Sequence, residues 1–197
     1  MKTYPAIALL ELNSIADGIY TGDAMLKQSP VAMLKAGTIS HGKYLVLVGG
    51  SVAATDEAYQ RGLSASAESR LDSLMLPDIH PEVYAAMLEE KQPMKQEALG
   101  ILETLSVASI INSADAMKKG ADISIGEMRL GDNFAGKGYL LFDGNIEDVE
   151  IAMEIASSTA TDCRCRIIPN LTDGMREHVN GALRFSQSVL QFLPDGE

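Results

Sequence analysis

Apolar and polar positions along the chain change rhythm in a fixed order. Ala6–Leu12, AIALLEL, is a short apolar run of strand length. Ser14 stands where a helix cap belongs. Ile15, Ile19 and Met25, with small residues between them, predict a helix from about Ile15 to Gln28, stopped by Pro30. Residues 31–39 and 44–48 predict two strands on either side of the turn Ser40-His41-Gly42, close enough to form a hairpin. Gly49-Gly50 breaks the chain. Residues 52–70, rich in alanine and serine, predict a second helix, and residues 72–76 a fourth strand closed by Pro77. The order β-α-β-β-α-β is the split βαβ, or ferredoxin-like, arrangement. A short helix over residues 81–90 and a polar connector, KQPMKQ, follow.

The same rhythm then starts again. Residues 98–119 repeat residues 6–27 at a shift of 92 without a gap, and ten of the 22 positions are identical, Glu11, Ser14, Asp23, Met25 and Lys27 among them. A period of this length is a small domain rather than a solenoid unit. The second copy predicts strands at residues 99–104, 123–130, 137–142 and 163–168, with helices at 107–119 and 146–161. The shift becomes 94 at the hairpin and returns to 92 at Pro77 and Pro169. This implies a hairpin loop two residues longer and a second helix two residues shorter in copy two. The fold class is therefore α+β, two tandem ferredoxin-like domains at 1–92 and 93–197, with a helical tail. In that tail Asp173 caps a helix carrying Met175, Val179, Ala182, Leu183 and Leu190 at helical spacing, a stripe that packs on its own domain or a neighbour.

Composition narrows the function. Hydrophobic residues make up 46% of the 197 and tryptophan is absent, so the cores rest on aliphatic residues and ten methionines. The formal net charge of −11 argues against a phosphate-tracking nucleic-acid surface and against an anionic membrane surface. The N-terminal apolar run is interrupted by Glu11 and is too short for a signal peptide. No stretch approaches transmembrane length. Two cysteines exclude a disulfide scaffold, and the chain reads as cytoplasmic with reduced thiols.

Little in the chain points to catalysis. Glu11 and Glu103 stand at matching strand ends, and Asp23 and Asp115 at matching helix positions. With one carboxylate of each pair in each domain, hydrogen bonding to backbone or to a neighbouring domain is the simpler role. Lys27 and Lys119 end the first helix of each copy, where a cation favours the helix dipole. Cys163 and Cys165 fall on one side of a strand, but the three histidines are scattered and no four-ligand metal set forms. The glycine-rich pieces match neither nucleotide-loop pattern, and no nucleophile-elbow or zincin signature occurs. No catalytic residue, metal or cofactor is expected, which favours an architectural role.

The repeated segments LLELNSIADGIYTGDAMLK and GILETLSVASIINSADAMKK resemble the opening of the bacterial microcompartment shell domain, with its strand, helix and D-A-M-x-K. TIS-x-GK, LVGG and SLMLPDIH extend the resemblance over residues 6–175, closest to the tandem shell proteins of the propanediol-utilisation type. The resemblance implies a homotrimer whose six domains form a pseudohexagonal tile, packed edge to edge with other shell proteins around encapsulated enzymes. It implies tile-edge contacts at Lys27 and Lys119, with Asp78 and Asn170 standing where the family often places an edge arginine. It also implies a central pore for small polar metabolites, bounded by Ile39, Ser40, His41 and Gly42 and, in copy two, by Asp132, Asn133 and Phe134. The propanediol-type relative has a cysteine that holds an iron–sulfur cluster where this chain has Ser40, so no cluster is expected. Two further readings remain: a metal- or cluster-carrying redox shell protein using His41 or the cysteines, and a small-molecule-sensing tandem ferredoxin-like regulator.

Overall fold

The apolar run that opens each repeat becomes an inner strand of a four-stranded sheet. The computed structural model describes residues 6–160, 162–184 and 186–190. The first repeat is β1 (Ala6–Leu12), α1 (Ile15–Gln28), β2 (Met33–Ile39), β3 (Lys43–Gly50), α2 (Val52–Ala65), β4 (Arg70–Leu76) and α3 (Pro81–Met87). The second is β5 (Ala98–Thr104), α4 (Val107–Gly120), β6 (Ser124–Leu130), β7 (Gly138–Gly144), α5 (Ile146–Thr159), β8 (Cys163–Ile168) and α6 (Asp173–Asn180). The sheets run β2-β3-β1-β4 and β6-β7-β5-β8, every pairing antiparallel. This is the α+β split-βαβ fold, twice, in unpermuted order.

Side-chain caps start the long helices where the sequence offers them. Ser14, Ser51, Ser106 and Asn145 each accept from the backbone N–H three residues on. Pro81 opens α3 behind His80, whose Nδ1 accepts from the Glu82 N–H. One face of the first sheet packs Ala8, Leu10, Leu12, Val46 and Val48 on Met25 and Ala58 of its helices. Its other face joins Val83 and Met87 of α3 and the core of the second domain in one continuous cluster. β1 is thus buried along its whole length, which is why it reads as an unbroken apolar run rather than an alternating one. The far face of the second sheet is covered by α6 and the connector: Leu99 and Leu141 lie under Met94, Leu171 and Val179.

Three expectations change. The second helices of the two copies have equal length, 14 residues each, so the two-residue deletion lies in the turn before the last strand, not in the helix. α2 stops at Ala65 instead of reaching residue 70: Ser66 leaves helical backbone, at φ −106° and ψ 12°, and the Ser69 and Arg70 N–H groups fold onto its carbonyl. The tail helix ends at Asn180 with Gly181 as its cap, so the expected stripe breaks: Val179 is buried, Ala182 and Leu183 lie beyond the helix, and Leu190 is exposed. Residue 161, the expected end of the second helix of copy two, lies outside the described residues.

Candidate functional site: the interdomain seam and the loop cluster

Glu11 ends an apolar strand with its side chain fully buried. A lone carboxylate there would be costly, and the fold supplies two partners. Lys43 at the start of β3 places its Nζ 2.7 Å from Glu11 Oε1. The backbone N–H of Val107, the first residue of α4 in the other domain, donates to Glu11 Oε2 at 2.7 Å. The carboxylate therefore sits on the N-terminus of a helix, where free N–H groups and the dipole favour negative charge. Asp72, opposite Glu11 on β4, accepts from the hydroxyl of Ser106, the cap of the same helix.

Further along the seam Asp115 of α4 accepts from the His80 N–H at 2.8 Å. Lys119 pairs with Asp115 at 2.6 Å and also donates to the Asp78 carbonyl. Glu11 and Asp115 thus bond to backbone of the neighbouring domain, the role the sequence suggested for the paired carboxylates. Lys119 and Asp78, two of the residues assigned to tile edges, meet inside the chain at the outer end of this seam. Their counterparts do not meet: Lys27 pairs with Asp23 at 2.5 Å on an exposed surface, and Asn170 is exposed.

The hairpin loops form the second cluster. Ser40 Oγ accepts from the Asn133 N–H at 2.8 Å, joining the loop of one domain to that of the other. Lys43 also donates to the Gly136 carbonyl at 3.3 Å. Ile39 is buried against Gly131, where a side chain would collide with the Ile39 Cδ1 at 2.6 Å. His41, Gly42, Asp132 and Asn133 are exposed, and His41 and Asn133 take left-handed backbone, φ 67° and 63°. Phe134 turns back on its own sheet, edge-on to Tyr139 at 5.1 Å and beneath the Arg129 guanidinium. Burial, and next the Glu127 carboxylate to which Tyr139 donates at 3.2 Å, push the Tyr139 phenol up.

Iron–sulfur clusters are held by thiolates. At position 40 the loop offers a hydroxyl already engaged by Asn133, so the donor set does not fit a cluster. The two thiols lie on β8 instead, Sγ to Sγ 3.8 Å, on one side of the strand as their spacing requires. Burial and then the Cys165 contact raise the Cys163 thiol, opposite to what a reactive thiolate needs.

Sequence reasoning missed Lys43, Asp72 and the Val107 N–H as partners. A signal was present: Gly-Lys recurs as Gly42-Lys43 and Gly136-Lys137 beside the repeated glutamate. A repeated acid and a repeated base at neighbouring strand ends mark a pair, as Lys137 and Glu103 at 3.3 Å bear out.

A model described as the BMC domain matches residues 6–79 and again 98–170. The bacterial microcompartment shell protein PduT of Citrobacter freundii is 39% identical over 155 residues, 79% of this chain and 84% of that protein. The carboxysome assembly protein CcmO of a Synechocystis strain is 25% identical over 170 residues, 79% of this chain but 56% of that one. Among solved structures, a microcompartment protein of Desulfitobacterium hafniense superposes with a TM-score of 0.73 at 35% identity, covering 89% of this chain and 99% of that one. A fused permuted hexameric shell protein of the RMM microcompartment, at 18% identity and a TM-score of 0.60, covers 82% of this chain and 83% of that one and shares the fold. With two copies of the matched domain and these relatives, the chain belongs to the BMC-domain family of bacterial microcompartment shell proteins.

Proposed function

We propose that this structural shell protein assembles as a homotrimer, a hexagon-like tile of six domains whose hairpin loops surround a central pore for small polar metabolites. The carrying observation is the contrast between the two ends of the chain. Inside the chain, Val107 and Ile111 of α4 are 0% exposed against the first domain. Their counterparts on α1, Ile15 and Ile19, are 42% and 59% exposed. Glu11 is fully buried at the seam, whereas Glu103 is 43% exposed. A gap of about 140 Å³ remains beside Leu9 and Leu47, where the second domain packs. A hollow of about 570 Å³ lies on the second sheet beside the counterparts Ile101 and Leu141.

Each chain therefore offers one half of a seam at either end, and the halves fit a second copy docked head to tail. Glu103 then takes the Ile15 N–H of the next copy, and Asn170 meets Lys27 as Asp78 meets Lys119. A head-to-tail contact that turns by two domains out of six closes at three copies, and closed rings are the common solution. Ser40, His41 and Gly42 then alternate with Asp132, Asn133 and Phe134 around the axis. Lys27 and Lys119, at the outer ends of alternate seams, remain at the rim for neighbouring tiles. The domains divide at 1–92 and 93–197. The tile works in the shell inside the cytoplasm, carries no catalytic residue or cofactor, and meets other shell proteins and encapsulated enzymes.

Sedimentation velocity at micromolar concentration, with electron microscopy of concentrated protein, tests this reading. A stable trimer that forms sheets supports it. A stable monomer refutes it.

A further inference from the structure

The seam inside the chain is a template for the seam between chains, and one pair of positions changes charge in a complementary way between them. At the internal seam Asp72 reaches the cap of α4, Ser106, whose hydroxyl donates to it. The residue one turn in, Ser109, donates its N–H to the Ser106 hydroxyl and carries no charge. In the second domain the position of Asp72 is held by Arg164. The register is the same: Asp72 lies opposite Glu11 on the first sheet, and Arg164 opposite Glu103 on the second. On α1 the position of Ser109 is held by Asp17, whose N–H donates to Ser14 at 3.2 Å. Both Arg164 and Asp17 are exposed. Glu103 is already paired, with Lys137 at 3.3 Å.

The two replacements are complementary. An arginine aimed at a helix N-terminus is unfavourable by itself, because the dipole and the free N–H groups there are positive. An acid in the first turn reverses that. Where one end of the seam has exchanged an acid for a base, the other has exchanged a neutral residue for an acid.

Resting on the head-to-tail trimer, we propose that Arg164 of one copy pairs with Asp17 of the next, and that this pair dictates which domain edge docks on which helix. The β8 edge accepts α1 of another copy. The β4 edge, with Asp72, repels α1 because Asp72 would face Asp17. The first domain of one chain therefore does not dock on the first domain of another, and domains alternate around the ring. Specificity gained from a repulsion against the wrong partner, beside an attraction for the right one, is how related surfaces stay distinct.

The test uses the full chain in four forms: unmodified, Asp17→Arg, Arg164→Asp, and both together. Sedimentation velocity over a concentration series gives the concentration at which trimers dissociate, and circular dichroism melts confirm folding. Each single reversal sets like charges in every seam between chains and should raise that concentration by about tenfold or more. The double variant should return to within about threefold of the unmodified chain, since the pair is restored in reverse. Single variants that dissociate like the unmodified trimer, or a double variant as weak as the singles, overturn the pairing and leave the trimer standing. An unmodified chain that stays monomeric overturns both.

Discussion

The two domains have exchanged a large and a small side chain across one contact, and the exchange predicts a rescue. In the first domain Gly18 of α1 lies under Tyr44 of β3. A Cβ built on Gly18 would stand 2.3, 2.5 and 2.7 Å from three Tyr44 atoms. In the second domain the counterparts are Ile110 and Gly138, and a Cβ on Gly138 would stand 2.4 Å from Ile110. Gly18→Ile forces Tyr44 out of its place, an overpacking that costs about 1–3 kcal/mol, offset by about 0.5 kcal/mol of helix propensity. Tyr44→Gly removes a half-buried ring and adds a strand glycine, together about 3 kcal/mol. The double variant reproduces the pairing of the second domain and should lie within about 1 kcal/mol of the unmodified protein. The coupling is then about 3–5 kcal/mol, at or above the upper end for residues in contact. Urea midpoints by circular dichroism measure it, at one protein concentration because association shifts apparent stability. A double variant destabilised by the sum of the two singles would refute the reasoning.

Other outcomes follow from the seam and its surroundings. Glu11→Ala leaves the Val107 N–H without its acceptor and Lys43 with only the Gly136 carbonyl, and should cost about 3–5 kcal/mol by urea unfolding, whereas Glu103→Ala should leave the melt of the dissociated chain nearly unchanged and weaken the trimer in sedimentation. The raised Tyr139 phenol keeps its proton in the folded state while the unfolded phenol loses it near pH 10. Stability is therefore fully present below about pH 10 and falls above it, and Tyr139→Phe should flatten that fall in urea midpoints measured from about pH 9 to 11. Replacing both Lys27 and Lys119 by Asp should abolish sheets under the electron microscope. Because Lys119 also donates to the Asp78 carbonyl, a small loss of thermal stability should accompany the change, and normal sheets would contradict the rim assignment.

Elements were legible where local chemistry decides them. The serine caps, the prolines after β4 and β8 and the repeat itself locate most strands and helices to within a few residues. What the pattern hid was set by distant parts of the chain. The alanine- and serine-rich run after Val52 could continue as helix on propensity alone, but the backbone leaves the helix at Ser66, where Ser69 and Arg70 fold onto its carbonyl. The tail stripe satisfies helical spacing up to Leu190, but Gly181 intervenes, a residue better suited to ending a helix than extending one. Glu11 and Asp115 could be read as structural acids from their repetition. Which backbone groups they serve could not, since Val107 and His80 lie across a domain boundary.

The unequal fates of identical residues explain what duplication adds to such a tile. In a ring of six single-domain copies every seam has the same sequence on both sides, so each position must suit all six seams at once. An acid at the Asp72 position together with one at the Asp17 position would then repel at every seam. In the proposed trimer of tandem chains the seams are of two kinds, one covalently enforced and one formed by association, and each has its own residues. The internal seam keeps Asp72 against the uncharged first turn of α4. The proposed associating seam would carry Arg164 and Asp17. The loop cluster diverges in the same way: Ser40-His41-Gly42 occurs once per chain and the longer loop around Asn133 once per chain. In the proposed trimer three imidazoles, not six, would approach the axis. A ring of identical single-domain copies can vary its loops only sixfold, whereas the proposed trimer would vary alternate positions while Ser40 and Asn133 hold each pair of loops together.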